Sequence, residues 1–207
     1  MPATCDHLLW AGPDLGRAVA GMARRTGIRP TFGGHHPDLG TQNAIAALGR
    51  RRFLEVIAPD PSLPAGALAR RLAALPAPTL LMWAAATPSA AAIAARAEAE
   101  GYTSVVVDGH RPRPDGSIVR WTNVFVSGHG AGPLVPFFIE WHDGGHPASD
   151  APSGLRLRSF AAETPQPAAL RAVFEALEVR LPVRRGPAAR LVALLDTPRG
   201  PVELSGP

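Results

Sequence analysis

The sequence predicts an α+β protein built from repeated βαβββ modules, and three features predict it. One order of elements (a strand, a helix, then further strands) runs through the chain twice, and a third time in shortened form. Proline and glycine stand where those elements begin and stop. No apolar run approaches the roughly 18–20 residues of a membrane span. The modules fall at 4–60, 79–146 and 155–204, with a connecting helix in 61–78, and together they read as one domain. The alternative is a plain α+β sandwich in which the element order recurs by coincidence.

In the first module CDHLLWAGP is a short strand and DLGRAVAGMARRTG a helix. Asp14 stands at the N-cap of that helix, and Gly27 where it ends. A glycine-rich loop around Gly33 and Gly34 leads into two strands, TQNAIAALG and RFLEVIAPD, joined by a turn at Gly49-Arg50. SLPAGALARRLAALPAP, bounded by prolines, is the connecting helix. The second module repeats the order: TLLMWAAA as a strand, SAAAIAARAEAE as a helix closed by Gly101, then strands in SVVVDG, SIVRWTNVFVSG and VPFFIEW. A turn at Pro114-Asp115-Gly116 separates two of them. The third pass has LRLRSFAAE as a strand and PQPAALRAVFEALEV as a helix with Pro167 in its first turn. It closes with a hairpin of ARLVALLD and PVEL.

Composition removes several classes of function. The pI of about 10.8 belongs to a chain with net charge +4. All 21 basic residues are arginine, so no lysine titrates near 10.4 to bring the pI down. Nucleic acid is therefore not an implied partner. The single cysteine, Cys5, makes no internal disulfide, and the N-terminal residues lack the form of a signal peptide, which together predict a cytoplasmic protein. The helices carry acids on their polar faces and are not membrane-surface elements. No P-loop, dinucleotide fingerprint or GxSxG elbow occurs, so no nucleotide cofactor is expected.

Two glutamates sit inside apolar strands: Glu55 in Phe-Leu-Glu-Val-Ile and Glu140 in Phe-Phe-Ile-Glu-Trp. Alternation places Glu55 on the face of Phe53 and Ile57, and Glu140 on that of Phe138. An unpaired buried carboxylate costs several kcal/mol, so each needs a cation, a metal, a donor or a wet cavity. Both lie on the last strand of their module, and packing two modules about a pseudo-twofold axis would make equivalent residues converge. His7, on the opening strand beside Asp6, is the third candidate. An imidazole and two carboxylates suit zinc, manganese, iron or nickel. The alternative reading pairs each glutamate with an arginine or with solvent.

Further candidates surround this trio. In GGHHPDLGTQN, His36, Thr41 and Asn43 are placed to reach a ligand from the cavity rim. His35 and His36 are adjacent, so at most one faces inward. Trp83, Trp121 and Trp141 lie on second-module strands, as core or as an aromatic wall. His142 and His146 bracket a glycine-rich loop that lacks a second ligand cluster.

The pieces DHLLWAGPDL, GGHHPDLGTQNAIAALG with RFLEVIAPDP, RPDGSIVRW, PFFIEWHDGGHP and DTPRG, in that order, resemble the glyoxalase-like domain family of the vicinal oxygen chelate superfamily. The resemblance runs from about residue 5 to residue 204. It implies paired βαβββ modules forming a curved mixed sheet around a cavity that binds a divalent metal. It assigns His7, Glu55 and Glu140 to metal-ligand positions on first and last strands. The second module's first strand departs from this pattern, offering Leu81-Met82-Trp83 and no ligand. Arg158 and Ser159 stand where the third module would need one. The expected function is that of a metal-dependent isomerase or lyase. It would act on a small carbonyl or enolisable molecule, with Glu55 and Glu140 as catalytic groups and His36, Thr41, Asn43, Trp83 and Trp121 binding substrate. A metal-free protein that binds or sequesters a small molecule is the alternative, and both forms admit a homodimer.

Overall fold

A computed structural model describes residues 2–112, 116, 118–142 and 145–206. The turn expected at Pro114-Asp115-Gly116 lies largely outside the described residues. The first module is β1 (Thr4–Ala11), α1 (Leu15–Thr26), β2 (Thr31–His36), β3 (Thr41–Ala47) and β4 (Phe53–Pro59), followed by the connecting helix α2 (Ala67–Ala73). The second is β5 (Thr79–Ala86), α3 (Ala90–Ala99), β6 (Thr103–Pro112), β7 (Ile118–Ser127) and β8 (Phe137–Trp141). The third is β9 (Arg156–Thr164), α4 (Pro167–Ala176), β10 (Val183–Arg185), β11 (Arg190–Asp196) and β12 (Val202–Gly206).

Local chemistry sets the helix ends. The Asp14 carboxylate accepts from Arg17 N at 2.7 Å, and Gly27 leaves α1 with φ of 82°. Ala18, Val19, Met22 and Thr26 form the buried stripe of α1. The stretch around Gly33 and Gly34 is not a free loop. It forms β2, which pairs with β3 through an irregularity between Phe32 and Gly34.

Eight strands make one sheet in the order β2-β3-β4-β1-β5-β8-β7-β6. The order is symmetric about its middle. β1 runs parallel to β4, β5 runs parallel to β8, and β1 and β5 meet antiparallel at the centre. The sheet curls until its two edges meet, and the Arg111 guanidinium on β6 donates to the Gly33 carbonyl on β2. The convex face packs on α1, α3 and the third module through Leu8, Trp10, Val56, Trp83 and Phe138. The concave face carries Leu9, Ile57, Met82, Phe137 and Ile139, and with α2 it encloses a cavity of about 200 Å³.

The third module has the expected element order but a different pairing, β10-β9-β11-β12, with β9 parallel to β10. Its sheet lies against the back of the large one. Phe160 and Phe174 meet the Trp83 ring edge-on at 5.2 and 6.5 Å. It therefore supports the central strands from behind and adds nothing to the cavity lining.

Candidate functional site

Inward-facing positions of the large sheet gather His7 from β1, Asn43 from β3 and Glu55 from β4 at the floor of the cavity. His7 and Glu55 are 3% and 7% exposed, so neither side chain is solvated by bulk water. The His7 Nε2 lies 3.5 Å from Glu55 Oε2, and Glu55 Oε1 accepts from Asn43 Nδ2 at 2.7 Å. Phe53 stacks on the imidazole at 4.4 Å and Phe137 meets it edge-on at 5.5 Å, which fixes the ring plane.

Behind His7 is a carboxylate that alternation along β1 would turn away. β1 carries one extra residue opposite Ala84 and Ala85, and Asp6 is that residue. Its Oδ1 lies 2.7 Å from His7 Nδ1. Its Oδ2 lies 3.1 Å from Trp141 Nε1 and 3.1 Å from His146 Nε2. Burial alone would raise the Asp6 pKa; hydrogen bonds and charge from His146 and His7 outweigh it and hold the carboxyl well below the usual range. A permanent anion on Nδ1 makes that atom a donor and leaves Nε2 as the reactive nitrogen. His146 in turn accepts from Ala148 N at 3.2 Å and is 3% exposed, so the segment after β8 buttresses the site from behind.

Glu140 does not join this group. On β8 the inward side chains are Phe137, Ile139 and Trp141, and Glu140 lies on the other face. Its Oε2 accepts from Ala90 N at 2.7 Å at the N-terminus of α3, beside the Ser89 cap. Glu140→Ala is expected to cost about 1 kcal/mol, which lowers Tm by a few degrees, as for any lost N-terminal acceptor. Differential scanning calorimetry measures that shift.

The other candidates divide. His36 reaches the cavity and His35 turns outward to Asp60. Burial lowers the His36 pKa, opposed by the Glu55 charge and aided by Arg111. Thr41 is buried and touches no cavity surface; its hydroxyl lies 3.0 Å from His36 Nδ1 and orients that ring. Trp121 and Trp141 form cavity wall, whereas Trp83 faces the opposite layer and donates to the Leu134 carbonyl. Burial pushes the Cys5 thiol up to about 12, which leaves it inert.

The donor set does not fit the expected metal. His7 Nε2 and Glu55 Oε2 are close enough to share an ion, but the second module faces them with Met82 and Ile139. Among the described residues no three His, Cys, Asp or Glu side chains are grouped to hold one. Also among these residues, no helix is long and apolar enough to cross a membrane.

The geometry agrees with comparison to other proteins. A family model described as a glyoxalase-like domain matches residues 5–178. A hypothetical protein from Staphylococcus aureus, 12% identical, shares the fold with a TM-score of 0.68 over 90% of this chain and 88% of its own. Two methylmalonyl-CoA epimerase structures are each 17% identical, with TM-scores of 0.51 over 71% of this chain and all of theirs. One is a complex with methylmalonyl-CoA and ammonium. The other, from Streptomyces coelicolor, holds 2-nitronate-propionyl-CoA. No curated protein matches significantly. At such identities the solved structures speak for the fold alone, but the family model spans most of the chain. The protein belongs to the glyoxalase-like domain family.

Proposed function

We propose that the protein moves a proton next to the carbonyl of a small organic molecule, as an isomerase or lyase, with His7 and Glu55 as the acid–base pair. The observation that carries this reading is the chain Asp6–His7–Glu55 at the floor of a mostly apolar cavity. Glu55, as carboxylate, takes the proton from the α-carbon. The electrons of the broken C–H bond form the enol double bond, and the carbonyl oxygen takes the proton from His7 Nε2. His7 is left neutral with Nδ1–H on Asp6. Glu55 is left protonated 3.5 Å from Nε2, close enough to pass its proton back and reset the pair. A proton from solvent or from the other face then adds to the α-carbon as the enol oxygen gives up its proton to solvent, which completes exchange, isomerisation or epimerisation. The epimerase activity named for the two structural neighbours belongs to this class of proton transfer.

The expected divalent ion is not part of this scheme, because Glu140 is turned to Ala90 N and, among the described residues, no third His, Cys, Asp or Glu is grouped with His7 and Glu55 to hold an ion. The test is deuterium uptake. In D₂O, wild-type protein with butanone is expected to exchange the α-protons faster than buffer, followed by ¹H NMR, and to do so in excess EDTA. Exchange no faster than buffer across small ketones and 2-oxo acids would overturn the reading. Exchange abolished by EDTA and restored by zinc or manganese would return the chemistry to a metal.

A further inference from the structure

The two walls of the cavity differ in kind. The first module sets His7, Asn43 and Glu55 on the cavity floor, and the second supplies a cluster of rings beside Asp108, His110, Arg111 and Asn123. Phe125 and Phe137 stack with centroids 5.3 Å apart and planes at 25°. Trp121 and Trp141 follow at 5.7 Å and 59°. The wall is held in place by backbone. The indole of Trp121 lies so close over Gly109 that a Cβ there would come within 2.7 Å of Cζ2. Phe125 remains 37% exposed although it sits in a cavity wall, and both tryptophans are only half-buried. This aromatic surface is open to a ligand.

Asn123 lies on the same strand, between Trp121 and Phe125, and its Oδ1 is buried with no hydrogen-bond donor among the described residues. Asn43 Oδ1 is also without a donor, but it is pressed against Gly33, where the backbone of β2 closes it off. The buried acceptor among the rings is therefore the one a ligand can satisfy. The size of the space narrows the ligand further. A cavity of about 150 Å³ already holds a benzene ring, and this one measures about 200 Å³. It has room for one ring and a few more atoms.

We propose that the cavity selects a single-ring aromatic carbonyl compound bearing a hydroxyl or N–H on the ring. The ring lies on Trp121, Phe125, Phe137 and Trp141, and its donor meets Asn123 Oδ1. The enolisable carbon faces His7 and Glu55, and only this last placement rests on the proton-transfer reading. An analogue without the ring donor leaves the Asn123 acceptor unpaired, which is the strongest means a site has of rejecting a near-isostere.

Isothermal titration calorimetry of the full chain with 4-hydroxyacetophenone, acetophenone and butanone tests this. Acetophenone is expected to bind at least about tenfold more tightly than butanone, because only the ring covers the aromatic wall. The hydroxyl is expected to add about three- to tenfold. Asn123→Leu should bind acetophenone as the wild type does and lose the hydroxyl preference. Trp121→Ala, with an unchanged circular dichroism spectrum, should weaken both ring compounds. Butanone binding as tightly as acetophenone, no heat from either ring compound at millimolar concentration, or a hydroxyl preference that survives in Asn123→Leu would each overturn the proposal. Ring binding without deuterium exchange would leave it standing and remove the proton-transfer reading. Exchange of butanone with no ring preference would do the reverse.

Discussion

Asp6→Ala is expected to destabilise the protein by about 3–5 kcal/mol, the range for removing one partner of a buried charged network. The carboxylate is 2% exposed and takes His7 Nδ1, Trp141 Nε1 and His146 Nε2. With alanine in its place all three N–H groups lose their acceptor at once, in a space too small to hydrate them fully. Against a total of about 5–15 kcal/mol for a native domain, that is a large fraction. Asp196→Ala is the contrast. That carboxylate pairs with the solvent-exposed Arg156 and Arg158, so its removal is expected to cost far less than that of Asp6. Urea denaturation of the two variants measures the difference. The pH dependence carries the same signature. The Asp6 carboxyl titrates lower in the folded protein than in the unfolded chain, so its contribution is complete above the unfolded carboxylate value of about 3.9. It fades as pH falls below that value toward the folded pKa. Asp6→Ala should therefore lose less stability than the wild type between about pH 4 and pH 2.

The second large effect is on chemistry. His7→Ala and Glu55→Gln are each expected to slow deuterium exchange by about 10²–10⁴-fold, the range for a positioned acid or base. His7→Ala removes the donor to the carbonyl oxygen and the route by which the proton returns. Glu55→Gln keeps the shape and the contact with Asn43 but removes the base. The two residues act as one unit, so the double variant should be little slower than the slower single one. Glu140→Ala serves as the control, since its carboxylate caps α3 on the far face of the sheet and is expected to leave the exchange rate alone. Equal losses in Glu140→Ala and Glu55→Gln would restore the trio that the fold separates.

Much of this site was legible in the amino-acid order, and the misses have physical causes. His7 and Glu55 were legible because a polar residue among strand apolars must find a partner, and parallel pairing of β1 and β4 brings them together. Glu140 was misplaced by one residue of register. Its segment resembles that of Glu55 when the two carboxylates are aligned, but the fold aligns Phe53 with Phe137: His7 pairs with Phe53 as Ala84 pairs with Phe137. Glu55 then corresponds to Ile139, and a slip of one reverses every side chain in a strand. Asp6 was adjacent to His7 in plain view, yet alternation put it on the opposite face; only the extra residue in β1 turns it to the ring.

His146 carries no sequence signal of its role, because no ligand cluster stands near it and its partner Asp6 is 140 positions away. The strand β2 was hidden by its glycines, whose lack of side chains removes the periodic signal. In the third module the element order was readable but the pairing was not, since the same string of elements suits two arrangements of strands.

At the heart of the site a buried anion pins the His7 ring, with Nδ1 as permanent donor and Nε2 free to exchange a proton with Glu55. Nitrogen-15 NMR of histidine-labelled protein tests it most directly, with His7→Ala to assign the signal. A strongly hydrogen-bonded Nδ1–H that persists throughout the neutral pH range, and is lost in Asp6→Ala, is the predicted result. A His7 ring whose proton sits on Nε2 alone, leaving Nδ1 bare beside Asp6, would contradict it.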